Sequence, residues 1–266
     1  MFDKYSGDEA FALIVGILVG IGSWMSWYYA LRVVGRAVRP RGWRQPLALV
    51  PLVCALLLYV VLARWSAEDV RTDPAYMIFY MVIGMAWLGL FRLPLPLAGL
   101  SVRDDVLERG NDAAAWAVSG ALIGGTCCFA GANVGNGPGW WVVLFSGLLS
   151  TATLMLLWWM AHLGSRLIEK VTVDRDCAAG VRAAGFLVGA GLMLGRAAAG
   201  DWVSAAATLA DFGRMAWPAA ALAGVGVIIE RSCAPEFRNG SLALATSGGL
   251  PALVYVGAGI VVMWAW

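Results

Sequence analysis

The sequence predicts an all-α integral membrane protein of about eight transmembrane helices built from parallel two-helix repeats. Three observations carry this prediction. Of 266 residues, 61% are hydrophobic and only 14% charged, against roughly 25% charged in ordinary soluble domains. The apolar residues come in long blocks. Ala10 to Val34, Pro46 to Ala63, Ala75 to Leu93 and Trp140 to Leu163 are nearly free of charge, and about 18 such residues suffice to cross a bilayer as a helix. The basic residues, finally, gather at one set of helix ends.

In chain order the helices are expected at 10–34, 46–64, 74–97, 112–131, 139–163, 177–199, 212–230 and 241–266. Pro46, Pro74 and Pro138 stand near starts, and Pro94 and Pro96 near a stop, where a missing N–H costs least. Residues 201–214 have the pattern of a short interfacial helix, and the last helix contains Pro251. Trp43 and Trp65 flank the second helix, Trp140 and Trp141 open the fifth, and Trp264 and Trp266 close the eighth, as interfacial aromatic residues do.

One side of these helices receives Arg32, Arg36, Arg39, Arg41, Arg44, Arg92, Arg103, Arg109, Arg166, Lys170, Arg175, Arg182, Arg231 and Arg238. The other receives Lys4, Arg64, Arg71, Arg196 and Arg214. Short loops rich in Lys and Arg stay cytoplasmic. Both termini are therefore expected on the periplasmic side of a bacterial inner membrane, and an even helix number agrees with placing them on one side. The N-terminus is acidic where a secretory signal is basic, so the first helix is expected to be retained.

An internal repeat follows the same spacing. Asn111-Asp-Ala-Ala-Ala-Trp-Ala-Val-Ser-Gly120 aligns with Asp176-Cys-Ala-Ala-Gly-Val-Arg-Ala-Ala-Gly185 and with Asn239-Gly-Ser-Leu-Ala-Leu-Ala-Thr-Ser-Gly248. The chain thus reads as one polytopic domain, 1–266, with units near 45–104, 105–170, 171–233 and 234–266 and an extra helix within 1–40. Two helices per unit keep successive units in the same orientation. Asn111, Asp176 and Asn239 precede helices, where a side-chain oxygen accepts from the orphan N–H groups of the first turn. The sharper alternative is that the three helix N-termini converge on an anion or headgroup. Gly120 and Gly124, Gly185 and Gly189, and Gly191 and Gly195 are four apart, a spacing that lets helix backbones approach closely in lipid.

These residues carry a resemblance. ERGNDAAAWAVSGALIG and the Leu209–Phe212 segment LADF make residues from about 105 to 231 similar to the YjfL-like family of bacterial inner-membrane proteins, a domain of unknown function, and the recurrence at RNGSLALATSGG extends the likeness toward the C-terminus. Asp176 in place of Asn, and Arg182 inside a small-residue helix, depart from the pattern. The resemblance implies a helical membrane bundle and no particular activity.

The remaining polar residues are few. The five cysteines, Cys54, Cys127, Cys128, Cys177 and Cys233, are odd in number and lack metal spacing, which argues against a disulfide framework or a zinc site. His162, the single histidine, reads as a packed or interfacial side chain near Trp158 and Trp159. Asp211 and Arg214 are three apart and form either an interfacial pair or, set deeper, an intramembrane one, which is usually functional. Arg182 and Arg196 bracket the sixth helix and are expected to snorkel to opposite interfaces. The glycine-rich loop Gly131–Trp141 follows a membrane helix, which rules out a phosphate loop. No hydrolase, zincin or haem motif occurs. Partners are expected to be lipids and a second copy or other membrane subunits, with no nucleic acid, since no polybasic run occurs. A non-enzymatic subunit of a membrane assembly is the first reading, and a channel or small-solute transporter the second.

Overall fold

The computed structural model describes residues 4–38, 44–233 and 244–265. Asn239, Trp43 and Trp266 lie outside them. The described helices are α1 (Gly7–Val38), α2 (Arg44–Trp65), α3 (Glu68–Thr72), α4 (Pro74–Phe91), α5 (Asp112–Gly131), α6 (Trp140–Ser165), α7 (Leu167–Thr172), α8 (Cys177–Ala198), α9 (Ala205–Met215), α10 (Trp217–Ser232) and α11 (Leu250–Ala265). π-Helical turns at Val102–Glu108 and Leu244–Gly249 lead into α5 and α11. Among the described residues eight segments are long and apolar enough to cross a membrane: most of α1, then α2, α4, α5, α6, α8, the α9–α10 stretch Ala205–Ser232, and Leu244–Ala265.

Two spans differ from the sequence expectation, and proline explains both. α4 stops at Phe91 instead of residue 97, because Pro94 and Pro96 donate no N–H to a continuing ladder. The chain then turns through Gly99, at φ 74°, and Trp158 Nε1 donates to the Ala98 carbonyl at 2.9 Å, fixing that turn to α6. The seventh span is broken at Ala216, with Pro218 in the first turn of α10. The short helix expected at 201–214 is α9, capped by Ser204 through the Ala207 N–H. Near the N-terminus, Lys4 donates to Asp73 at 2.8 Å. That bond, followed by the Ala75 N–H, holds the Asp73 carboxyl below its usual range.

α8 is the centre of the bundle. α5 and α11 lie against two of its faces, and α6 and α10 cover a third. α4 packs against α1, and α2 against α5. Glycines decide the closeness of the central crossings. A Cβ on Gly185 would lie 2.5 Å from Ala252 Cα, and one on Gly120 would overlap the Ala184 backbone. Gly124 and Gly189 would meet the carbonyls of Leu187 and Tyr255. Without a hydrophobic drive between helices in lipid, this backbone proximity is the main source of helix attraction.

The α5–α8 and α8–α11 crossings share one pattern of contacts. Gly180 meets Ala113 as Gly248 meets Ala178, and Gly191 meets Gly124 as Gly259 meets Gly189. Packing thus aligns Gly248 with Gly180, whereas the sequence alignment paired it with Gly185. The alignment followed the Asn-to-Gly interval, while the crossing is set by which backbones touch.

Gly185→Ala is predicted to lower the melting temperature in mild detergent, because overpacking of about 1–3 kcal/mol exceeds the gain in helix propensity of about 1 kcal/mol. Gly257→Ala is the control, since nothing lies within 4 Å of its Cβ position, and it should be neutral or stabilising. Equal melting of Gly185→Ala and wild type would refute the close-contact account.

Candidate functional site

Arg182 lies about one and a half turns into α8, on a helix enclosed on several faces. The residue is 2% exposed, so its side chain stays inside the bundle. The snorkelling expected of it is therefore corrected. The guanidinium instead meets Glu230, near the end of α10, in a two-pronged pair. Nε donates to Oε1 at 2.5 Å and Nη2 to Oε2 at 2.9 Å. Nη1 donates to the Ser247 carbonyl at 2.8 Å, and Asp176 Oδ2 stands 3.8 Å from Nη2. Lys170 of α7 adds its Nζ to Glu230, donating to the backbone carbonyl and lying 3.5 Å from Oε2.

Two cations and two carboxylates thus neutralise one another. An unpaired charge would cost several kcal/mol there, so removal of one partner does more harm than removal of both. The planar fork of arginine supplies parallel hydrogen bonds that lysine could not. The cluster joins α7, α8, α10 and the π-turn before α11, at the end where α8 begins. All of its charges are engaged with each other, which locks these elements together.

The two described caps behave differently. Asn111 Oδ1 accepts from the Ala113 and Ala114 N–H groups at 3.0 and 3.2 Å, while Nδ2 donates to the Val171 carbonyl at 2.8 Å. Asp176 Oδ1 accepts from Ala178 and Ala179 at 2.9 and 3.2 Å, and its second oxygen faces Arg182. An anion shared between these helix starts would have to sit against the Asp176 carboxylate. Their geometry is that of caps.

The other expected polar residues are not brought to Arg182. Asp211 and Arg214 form an exposed i,i+3 pair on α9, with 3.5 Å between Oδ1 and Nη1, near the opposite end of α8. His162 is half-buried at the end of α6, edge-on to Trp159 at 5.7 Å, and its Nδ1 accepts weakly from the Ile168 N–H at 3.4 Å. Cys54, Cys127 and Cys128 are buried free thiols, and no group of three or more metal-ligating side chains exists among the described residues. Sequence reasoning missed Glu230 and Lys170. A counter-charge for Arg182 was demanded by burial, but Glu108, Glu169 and Asp174 fall on the same side in sequence, and nothing local selects Glu230.

Arg182→Met or Glu230→Met alone is predicted to destabilise the protein by about 3–5 kcal/mol, the cost of stranding a buried charge. The double replacement should recover most of that loss, as thermal melting of the purified variants would report. Additive losses would refute the coupling. Asn111→Ala should cost about 0.5–2 kcal/mol as a lost cap. Asn111→Asp should also destabilise, although Asp176 holds the aligned position, because a carboxylate cannot donate to Val171. Asn111→Asp melting as wild type would show that this donation is unimportant.

Comparisons with curated proteins and with solved structures gave no match. A family match covers residues 69–198, from α3 to the end of α8. It begins earlier than the resemblance seen in sequence and leaves out both the LADF segment and the RNGSLALATSGG stretch. The lock's α8 half falls inside it, and Glu230 and Ser247 fall outside. Residues 69–198 are similar to the family described as Domain of Unknown Function, DUF350.

Proposed function

We propose that this chain is a non-enzymatic bundle of the bacterial inner membrane, with both termini periplasmic, that acts as a subunit of a homo-oligomeric or larger membrane assembly. The observation that carries this reading is a lateral apolar groove of about 680 Å³ between α2 and α11. Val60 and Trp264 stand on its walls, and Ala130, Gly131, Gly195 and Ala199 of the α5–α8 region lie along it. Small residues facing a membrane groove let another helix approach closely, and a helix from a second copy is the occupant we assign. Two features support a scaffolding role over conduction. The α5–α8–α11 crossings leave no space for a solute between their backbones, and Arg182 is closed within its lock.

A channel or small-solute transporter is the second reading, favoured by a polar cavity at the α9 end of the bundle.

Wild-type protein is predicted to run as an oligomer on size exclusion in mild detergent and to cross-link to itself in native membranes. Val60→Trp, which fills the groove from an exposed wall position, should shift the particle to monomer with unchanged melting. A wild-type monomer that does not cross-link would overturn the assembly reading. Solute flux in reconstituted vesicles would move the conclusion to transport.

A further inference from the structure

The spans formed by α2, α5, α8 and α11 stand at alternate places among the eight, so they cross the membrane in the same direction. α2 lies against α5, α5 against α8, and α8 against α11. The last two crossings are built alike. A Cβ on Gly120 or Gly124 of α5 would strike Ala184 or the Leu187 carbonyl of α8. A Cβ on Gly185 or Gly189 of α8 would strike Ala252 or the Tyr255 carbonyl of α11. Each crossing also has a glycine on the far helix, Gly191 against Gly124 and Gly259 against Gly189.

The shift along the chain that takes Gly180 to Gly248 and Gly191 to Gly259 takes Gly185 to Leu253 and Gly189 to Gly257. There the row stops. Gly124 and Gly189 each touch a neighbouring backbone, whereas a Cβ on Gly257 would meet nothing within 4 Å. Leu253, Val254, Val261 and Trp264 are exposed beside it, at the spacing of three and four residues that keeps side chains on one helix face. Trp264 also stands on the wall of the groove between α2 and α11, so the open face and the groove are continuous. α11 thus carries the receiving face of a further crossing, and no helix among the described residues fills it.

We infer that the helix received there is α11 of a second copy, packed in parallel about a two-fold axis along the membrane normal, with the two copies' Gly257 residues facing one another. This rests on the assembly reading above and names the helix that enters the groove. The occupant must run parallel to α11, as each helix of the row does to the next, and must offer a small residue at the crossing, as Gly191 and Gly259 do. The glycine faces of α5 and α8 are buried inside the chain. α2 contains no glycine and turns Leu49, Leu52, Leu56 and Tyr59 outward. Of the four, that leaves α11. A two-fold axis pairs a surface with itself, and glycine at the crossing lets the two backbones come into contact, where packing supplies the attraction.

The test is disulfide cross-linking in native membranes of single cysteines added to the full-length protein, with wild type as background. Val254→Cys and Val261→Cys flank Gly257 on the open face, and Leu18→Cys on α1 and Leu52→Cys on α2 are comparably exposed. Oxidation with copper phenanthroline is expected to give a dimer band with the two α11 variants and not with the other two. Gly257→Leu should melt as wild type, since nothing in its own chain lies within 4 Å of its Cβ position, and should move the particle from oligomer to monomer on size exclusion. An oligomer whose α11 variants stay uncross-linked, or whose size survives Gly257→Leu, would overturn this assignment and leave the assembly reading standing. A wild-type monomer that does not cross-link would overturn both.

Discussion

The structure depends on how closely α8 is approached from two sides. Its glycines and alanines let the α5 and α11 backbones come within contact distance, and in lipid such contacts supply the attraction that water would otherwise provide. At Arg182 this enclosure leaves the side chain 2% exposed. Arg182 must therefore be neutralised where it stands, and the placement of Glu230, Lys170 and Ser247 follows from that requirement.

The same constraint explains why two positions that look interchangeable are not. Asn111 and Asp176 both cap the helices behind them with one oxygen. What each does with its second polar atom depends on the neighbour. Beside α5 that neighbour is the carbonyl of Val171, which calls for a donor. Beside α8 it is the Arg182 guanidinium, which calls for an anion. The departure of Asp176 from the Asn pattern is thus the complement of the arginine that also departs from it.

The two ends of the bundle differ in how their polar groups are spent. At the start of α8 every charge of the lock has an internal partner. At the α9 end Asp69, Asp201 and Asp211 line a cavity, Asp201 is held by Asn136 and Asp211 by Arg214, and the Asn133 oxygen is buried without a partner.

Sequence by itself determined the membrane character, the eight spans and their approximate limits, because block hydropathy and proline position act locally along the chain. It also located the cap at Asn111 and that at Asp176, since capping needs only the first turn of the helix that follows. It placed Arg182, Asp211, Arg214 and His162 as polar residues of interest, yet could not say which of them meet. Only the tertiary structure decided that Arg182 pairs with Glu230, 48 residues away, that Asp211 and Arg214 lie near the other end of α8, and that Gly248 packs as Gly180 does. Each of these is a contact between helices distant in the chain. Helix packing selects such contacts by backbone proximity, and that quantity leaves no trace in the local pattern.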